Sequence, residues 1–340
     1  MPKEGDAHEG GGQMSDGFGR IPTLHIEAES IPQAHFRAMK AVWEHGLAIR
    51  TEYDRKDASG TFIDPPSRDA RVLIEVRDPF AEPRYPPVSF CEIGTYIAEI
   101  MGAKDHLVLP MAELKQAIGG TLSAHHWPYT YHQRLVAHPD LDGSTVDQLA
   151  LAVERVARTP YTRRAVATTA VPNLDPFLTE DVPCLREVQL RCPEDESGGL
   201  VLNVSTAWRS RDLFKAWPDN VIGLTFLFRL LARRISEQSG RPVRLGSYAD
   251  YSMSLHIYGQ DFKQVGGDVE RGLKSFFDTF DEDAYLARSL ASADACEMLV
   301  LPQLRGLLEP QQVQQWRFPE ASRRLIEELV ADIESGNLGV

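Results

Sequence analysis

Cysteine is scarce in this chain of 340 residues, which contains only four. Cys91, Cys184, Cys192 and Cys296 are too few and too scattered for a disulfide framework or for the closely spaced ligand pairs of a zinc site. Cysteines used in this way are typical of proteins in a reducing compartment. We therefore expect the protein to be cytoplasmic.

Long apolar runs and an excess of positive charge are missing as well. No run approaches the roughly 18 apolar residues of a membrane-spanning helix, and the N-terminus has no signal-peptide hydrophobic region. Lys and Arg number 36 against 49 Asp and Glu, which gives a net charge of −13. Because binding to a nucleic-acid backbone requires a cationic surface, we expect neither a membrane nor a nucleic acid as a partner.

Apolar residues make up 43% of the chain, enough for a substantial core in one large domain or two small ones. Residues 1–22 are Gly-rich and polar, which predicts a flexible tail, and we expect 103–145 to be irregular. Residue periodicity predicts the remaining elements. The predicted helices are 32–46, 88–101, 146–158 with Thr145 as a cap, 221–235, 269–280, 284–290 and 320–333; the predicted strands are 71–76, 165–170, 185–191, 200–205 and two short pieces within 244–258.

The segment from Val182 to Asn220 carries the most evident chemistry. Pro183 favours extended structure, so Cys184 is expected at the mouth of the following strand, where its thiol can reach a cleft. The thiolate is the reactive form, and a neighbouring guanidinium lowers the pKa of a thiol, so Arg209 is a candidate activator. A lone cysteine is more often a small buried apolar residue, and this alternative stays open.

Arg209 and Ser210 are adjacent at the end of the next predicted strand. A guanidinium and a hydroxyl together suit a phosphate group, although such a pair is also a common feature of solvated surfaces. The adjacent His125 and His126 do not predict a metal site, because sequence neighbours point in different directions and no third ligand follows at a suitable spacing.

Several motifs, in this order along the chain, resemble the thymidylate synthase family and most closely its archaeal-type branch. They are the segments 71–84, 129–135, 147–148 and 162–166, then Pro183-Cys184-Leu185 with Gln189, Arg209-Ser210-x-Asp212, Ala-Trp-Pro-x-Asn220 and Leu-His256-Ile-Tyr258. The resemblance implies an α+β fold in which a mixed β-sheet packs against helices and forms the interface of an obligate homodimer. It also implies a catalytic domain over 23–265, with 266–340 as a C-terminal helical extension outside the family.

The resemblance implies one-carbon transfer from 5,10-methylenetetrahydrofolate to C5 of a pyrimidine nucleoside monophosphate. Cys184 would attack C6 of the base, Arg209 would serve both the thiolate and the phosphate, and Asp212 would contact folate and ordered water. The implied substrate-binding residues are Arg163 and Arg164, which reach the partner's nucleotide, Gln189 and Ser210 at the phosphate, Asn220 at the base, and His256 and Tyr258 at a ribose hydroxyl.

Three assignments within the resemblance stay open. A catalytic glutamate is expected on the helix over 88–101, where Glu92 is preferred to Glu99. Trp127 is a candidate shield for the reacting carbon, although core packing explains a tryptophan here more readily. Arg55 is a poor match to a loop arginine that closes over the phosphate, and an exposed charged loop is the simpler interpretation.

The base and the product also stay open. Asn220 favours uracil, so methylation of dUMP to dTMP is the first expectation. Asp219 stands where the family usually has an apolar residue, and a carboxylate turned inward would accept a hydrogen bond from the 4-amino group of cytosine. Hydroxymethylation of CMP, dCMP or dUMP is therefore the alternative. A non-catalytic nucleotide- or RNA-binding relative is a third, which the presence of Cys184 together with the arginines disfavours.

Overall fold

The computed structural model describes residues 19–88, 92–116, 126–140, 142–178, 181–265 and 272–336. Most of the tail predicted over 1–22, together with Cys91 and His125, lies outside these ranges.

A mixed β-sheet forms the centre of the described structure, in the strand order β1-β3-β10-β8-β7-β6, with β2 paired to β3 and β9 paired to β10. The pairs β1–β3 and β10–β8 are parallel, whereas β10–β3, β7–β8 and β6–β7 are antiparallel. The strands are β1 (Thr23–Ala28), β2 (Leu47–Ile49), β3 (Ser67–Val76), β4 (His138–Pro139), β5 (Thr145–Val146), β6 (Val166–Thr168), β7 (Leu185–Arg191), β8 (Leu200–Trp208), β9 (Arg211–Asp212) and β10 (Val243–Ile257).

Helices cover one face of this sheet, where α1, α5 and α7 pack on the strands, and the α+β fold class predicted from the sequence is confirmed. The helices are α1 (Ile31–His45), α2 (Ile93–Ile100), α3 (Met111–Gln116), α4 (Tyr131–Val136), α5 (Gln148–Arg158), α6 (Asp175–Leu178), α7 (Ala216–Ser239), α8 (Gly272–Thr279), α9 (Glu282–Leu286), α10 (Ser292–Ala295), α11 (Leu301–Leu307), α12 (Pro310–Trp316) and α13 (Glu320–Glu334). Within the described ranges, no helix has both the length and the apolar character needed to cross a membrane.

The longest helix of the described structure, α7, fixes where the segment from Val182 to Asn220 becomes helical. It begins at Ala216, earlier than the apolar run predicts, so Asn220 lies in its second turn. The helix ends at Gly240, which has a φ of 67° and provides the left-handed conformation that commonly terminates a helix. Its many buried side chains belong to the hydrophobic core, as its apolar composition indicates.

Three predictions of local structure are wrong. The cap of α5 is Asp147, whose carboxylate accepts the N–H of Ala150, while Thr145 belongs to β5. The two short pieces expected within 244–258 form the single strand β10, which contains two irregularities in its pairing. The region 103–145 contains the helices α3 and α4, which are too short to produce a clear sequence period.

The C-terminal helices α8–α13 are packed against the rest of the molecule. Tyr285, Cys296 and Ile326 belong to the same hydrophobic core as the sheet and α7. Helix α9 packs on α1, and α11 packs on α2. A division of the chain at residue 266 stays a prediction.

The opposite face of the sheet is only partly covered. Tyr251 on β10 lies between Leu73 of β3 and Ala207 of β8, in the register that the pairing sets. Leu73 is 41% exposed and Met253, two residues beyond Tyr251 on the same face, is 49% exposed. We call this surface the open face of the sheet.

Candidate active site

Cys184 immediately precedes β7, and its backbone is attached to the end of β8. Leu185 pairs with Trp208, so Cys184 before the first and Arg209 after the second lie opposite each other. The N–H of Arg209 donates to the carbonyl oxygen of Cys184 at 2.9 Å. The thiol is partly exposed and not part of a disulfide. Adjacent antiparallel strands therefore bring the backbones of the candidate nucleophile and its candidate activator into contact.

The Cys184 thiol has a hydrogen bond from the hydroxyl of Tyr131, the first residue of α4. Burial raises the pKa of the Cys184 thiol, while the charge of Arg209 and the Tyr131 hydrogen bond act in the opposite direction. Burial is the largest of these effects, so the activation expected from Arg209 only partly offsets it. Tyr131 belongs to a motif that carried the family resemblance, but nothing in its spacing indicated contact with the thiol.

The guanidinium of Arg209 is held beside the residues that lead into Cys184. Its Nε donates to the carbonyl oxygen of Val182 at 3.0 Å, and an Nη donates to the carboxylate of Asp181 at 2.8 Å. The Asp181 side chain is 68% exposed. A surface carboxylate therefore pairs with Arg209, and an anion with more contacts can replace it.

Two cavities lie near Cys184. The first cavity has a volume of about 330 Å³ and is lined by Tyr96, Glu99, Trp127, Pro128, Tyr129, Thr130, Tyr131, Asp181 and Asn220. The second cavity has a volume of about 260 Å³ and is lined by Ile49, Arg50, Thr51, Glu52, Tyr53, Ser67, Asp69, Ser210, Ser254, His256 and Tyr258. Cys184 interacts electrostatically with Tyr129 and Tyr131 of the first cavity and with Tyr53 and Tyr258 of the second.

Asn220 lines the first cavity in an orientation fixed by its neighbours. The Nε of Arg211 donates to its side-chain oxygen at 3.1 Å, and its amide nitrogen donates to the hydroxyl of Tyr96 at 2.6 Å. Because a guanidinium only donates, the oxygen of Asn220 has to face Arg211. Arg211 is itself paired with Asp250 at 2.7 Å and lies 3.7 Å above the ring of Trp208.

Asp212 and Asp219 form a pair of interacting carboxylates. Burial raises the pKa of Asp219 to about 7, and the negative charge of Asp212 contributes. Burial likewise raises the pKa of Asp212 to about 6, although its carboxylate accepts the backbone N–H of Phe214. Among the described residues, the buried Oδ1 of Asp219 has no hydrogen-bond partner. Both groups can therefore exchange protons near neutral pH.

The two candidate glutamates occupy different environments. Glu99 lines the first cavity and accepts a hydrogen bond from Lys104 at 3.2 Å, and burial raises its pKa. Glu92 is exposed at the N-terminus of α2 and does not line the cavity. The geometry therefore favours Glu99 over the preferred Glu92.

The second cavity contains three of the residues expected at the phosphate and ribose. Ser210, His256 and Tyr258 line it, and the rings of the last two are in edge contact with centroids 4.5 Å apart. Burial lowers the pKa of His256 to about 4, so its imidazole is neutral at physiological pH. Arg50 also lines this cavity. It directly follows β2, and the sequence analysis did not identify it as a candidate.

Arg55, the loop arginine considered from the sequence, is engaged elsewhere. Its guanidinium pairs with the carboxylate of Asp64 through two nitrogens at 2.6 and 2.8 Å. Arg50 also pairs with a carboxylate, that of Asp54 at 3.2 Å, but it lines the second cavity and is for that reason the better loop candidate. Trp127, the proposed shield, lines the first cavity and contacts Trp316 edge to face with centroids 6.1 Å apart.

Arg163, Arg164 and Gln189 lie apart from both cavities. The two arginines are exposed just before β6, and the amide of Gln189 on β7 donates to the carbonyl oxygen of Arg163 at 3.4 Å. Within the described residues, neither guanidinium has a carboxylate partner. A separate observation on the same residues is that no group of three His, Cys, Asp or Glu side chains could hold a metal. Arg163, Arg164 and Gln189 line neither of the two cavities of their own chain.

The fold and the site define an α+β protein with a cysteine that interacts with residues lining two cavities. A family model described as "Thymidylate synthase" matches residues 113–279. Proteins named "Putative thymidylate synthase" match from Methanosarcina acetivorans, 28% identical over 259 residues (76% of this chain, 99% of that protein), and from Methanopyrus kandleri, 36% identical over 138 residues (40% and 58%). The solved thermostable thymidylate synthase A from Bacillus subtilis aligns with a TM-score of 0.49 and 18% identity, over 71% of this chain and 84% of that one.

The chain is thus similar to the thymidylate synthase family over residues 113–279 and to relatives named for that family over most of their length. The resemblance stated from the sequence motifs is thereby confirmed.

Replacing Tyr131 with Phe removes only the hydroxyl that donates to the Cys184 thiol. We expect alkylation of Cys184 by iodoacetamide at pH 8 to slow about threefold, because losing one hydrogen bond to the thiolate raises the thiol pKa. Peptide mass spectrometry measures the rate, and Tyr129→Phe is the matched control because Tyr129 lines the same cavity. Equal rates in Tyr131→Phe and the parent protein would contradict this role.

Proposed function

We propose that the protein transfers a one-carbon unit to C5 of a pyrimidine nucleoside 5′-monophosphate, with methylation of dUMP to dTMP as the first candidate reaction. The observation that carries the proposal is that Cys184 interacts with residues lining two cavities, with the hydroxyl of Tyr131 and with the charge of Arg209. One cavity wall has the amide of Asn220, and the other has the hydroxyl of Ser210. A base and a phosphate thus have polar groups on either side of one nucleophile.

In this proposal the Cys184 thiolate adds to C6 of the pyrimidine, and the electrons of the C5–C6 double bond move toward C5 and the C4 carbonyl. Covalent addition makes C5 nucleophilic and divides a difficult substitution into easier steps. Tyr131 stabilises the thiolate through its hydrogen bond. Glu99, with a pKa raised by burial, is the proposed group that accepts or donates a proton at the base.

The first cavity suits 5,10-methylenetetrahydrofolate at its aromatic end. Trp127, Tyr129 and Tyr96 provide aromatic walls, and Glu99 provides a polar group that can pair with a heteroaromatic ring. When bound, this folate supplies the one-carbon unit at the oxidation level of formaldehyde. We propose that Asp212, whose charge acts on Tyr258 of the second cavity and whose pKa is raised to about 6, contributes contacts to ordered water there.

The phosphate is proposed to bind at Arg209 and Ser210, where it would displace the exposed carboxylate of Asp181 from the guanidinium. Arg50, at the wall of the second cavity, is a further candidate. A dianion requires more positive charge than Arg209 provides alone, and Arg163 and Arg164 of the same chain do not line the cavities. We therefore propose that these two arginines serve the active site of a partner subunit.

A homodimer through the open face of the sheet is proposed on the same grounds. Leu73 and Met253 leave apolar surface exposed there, and exposed apolar surface of a sheet is commonly buried against another chain. The exposed side of β6 and β7, with Gln189 and the arginines beside it, adjoins this face. An isologous dimer in the cytoplasm would contain two shared sites.

Subunit mixing tests the shared site. Cys184→Ala protein and Arg163→Ala/Arg164→Ala protein should each be inactive alone, and unfolding and refolding them together should restore about a quarter of parental activity, because half of the dimers are mixed and each has one complete site. A chain with all three substitutions mixed with Cys184→Ala protein is the control and should stay inactive. Absence of recovery, or an active arginine variant, would contradict the shared site.

A second candidate reaction is hydroxymethylation, on a cytosine nucleotide or on dUMP. The observation that favours cytosine is Asp219, whose buried Oδ1 lacks a partner among the described residues and which is adjacent to Asn220. Its charge also acts on Tyr96 of the first cavity. A carboxylate here would accept a hydrogen bond from the 4-amino group of cytosine, which uracil does not have.

The pH dependence of activity distinguishes the two bases. Because the pKa of Asp219 is raised to about 7, the carboxylate is ionised above that pH and protonated below it. If it binds cytosine, kcat/KM for CMP or dCMP falls about tenfold per pH unit below pH 7, and Asp219→Asn abolishes both this decrease and the preference for cytosine. If uracil is the substrate, Asp219→Asn leaves the profile with dUMP unchanged.

Product mass decides the reaction. We expect dUMP, among dUMP, dCMP, UMP and CMP incubated with 5,10-methylenetetrahydrofolate, to gain a methyl group while absorbance reports dihydrofolate. A hydroxymethyl product without dihydrofolate would establish the alternative reaction instead. Cys184→Ala should abolish turnover, and a Cys184→Ala protein that still turned over substrate would refute covalent catalysis. A parent protein that binds these nucleotides without forming product would be a non-catalytic relative.

A further inference from the structure

His35, near the start of α1, is fully buried and has partners from two distant parts of the chain. Its Nε2 is 2.9 Å from the carbonyl oxygen of Leu213, and its Nδ1 is 2.7 Å from the hydroxyl of Tyr285. Because a carbonyl only accepts hydrogen bonds, Nε2 carries the proton and Nδ1 accepts from Tyr285. Burial lowers the pKa of His35 to about 4, so the ring is neutral at physiological pH.

Both partners of His35 matter for the proposed active site. Leu213 follows Asp212 directly and is the first residue of the turn that leads into α7. The imidazole also stacks on the indole of Trp217, with centroids 5.7 Å apart and planes 4° from parallel. His35 therefore contacts the segment 212–220, which contains Asp212, Asp219 and Asn220, at its backbone and at its central aromatic ring.

Hydrogen bonds connect Trp217 to the side-chain amide of Asn220, which is proposed to bind the base. The Trp217 indole N–H donates to Asp250 at 2.9 Å, and Asp250 pairs with Arg211 at 2.7 Å. Arg211 in turn donates to Asn220 at 3.1 Å. A continuous buried set of contacts thus leads from Tyr285, in the C-terminal helices, to the residue proposed to bind the base.

We propose that Tyr285 and His35 are positioning residues for the segment 212–220, and that the C-terminal helices thereby fix the orientation of an active site that they do not line. No described residue of 272–336 lines either cavity. The Tyr285 hydroxyl stabilises the tautomer of His35 that donates to Leu213. Without it, Nδ1 becomes a buried acceptor that lacks a donor, and Leu213 is the one remaining hydrogen-bond partner of the ring among the described residues.

The test compares Tyr285→Phe, His35→Leu and His35→Gln with the parent protein. Glutamine retains one donor and one acceptor at a spacing similar to that of the imidazole nitrogens, so it should rescue what leucine loses. Glu282→Ala is the matched control, because Glu282 also connects α9 to α1, through Arg37 at 2.8 Å and Gln33 at 2.6 Å, without contacting the segment 212–220.

Three measurements are made on each variant: kcat and KM, hydrogen exchange of peptides covering 212–220, and the urea midpoint of unfolding. Tyr285→Phe should lower kcat/KM about three- to tenfold, the effect of one buried hydrogen bond, and accelerate exchange in 212–220. His35→Gln should lie closer to the parent protein than His35→Leu. Glu282→Ala should leave activity and exchange in 212–220 unchanged.

The proposal is overturned if Tyr285→Phe changes only the urea midpoint, or if Glu282→Ala has the same effect on activity and on exchange in 212–220. The positioning role of Tyr285 and His35 rests on the proposed function, because the segment 212–220 is proposed to bind the nucleotide. The exchange measurement needs no substrate. A parent protein without pyrimidine activity would therefore refute the proposed function, while exchange in 212–220 would still decide whether Tyr285 and His35 order this segment.

Discussion

The buried ion pair between Arg211 and Asp250 is the interaction on which the rest of the site depends. Both side chains are almost inaccessible to solvent, and their charged atoms are 2.7 Å apart. Removing one partner of such a pair costs about 3–5 kcal/mol, because it leaves a buried charge without compensation. Here each partner has a further task, since Asp250 accepts the indole N–H of Trp217 and Arg211 donates to Asn220. The pair therefore joins β9, β10 and the start of α7 in one arrangement.

Burial, more than any single charged neighbour, sets the protonation of the site. It raises the pKa of Cys184, Glu99, Asp212 and Asp219, and it lowers that of His256. Each of these groups is thus shifted toward its neutral form. Asp212 and Asp219, with pKa values raised to about 6 and about 7, can exchange protons near neutral pH, while the positive charge at Arg209 is paired with the exposed carboxylate of Asp181. Arg163 and Arg164 line neither of the cavities near this thiol.

Local sequence pattern predicted several elements with accuracy. The alternation after Pro183 corresponds to β7, and the apolar period in the first part of the chain corresponds to α1. The local pattern failed where an element is determined by contacts with residues distant in the sequence. β10 is one strand because it pairs with β3 on one side and with β8 and β9 on the other, which overrides the breaks at Gly246 and in the polar stretch around Ser252. Short helices such as α4 leave too little periodicity to detect.

The sequence by itself determined the chemical groups of the site, because Cys184, Arg209 and Asn220 lie within one segment whose strand-turn-helix pattern is local. Tertiary structure decided which groups from elsewhere join them. It brought Tyr131 to the thiol and Glu99 to the cavity, and it placed Tyr285 beside a histidine 250 residues away. The physical reason is that burial and hydrogen bonding depend on long-range packing, which shifts pKa values and selects partners that no local spacing records.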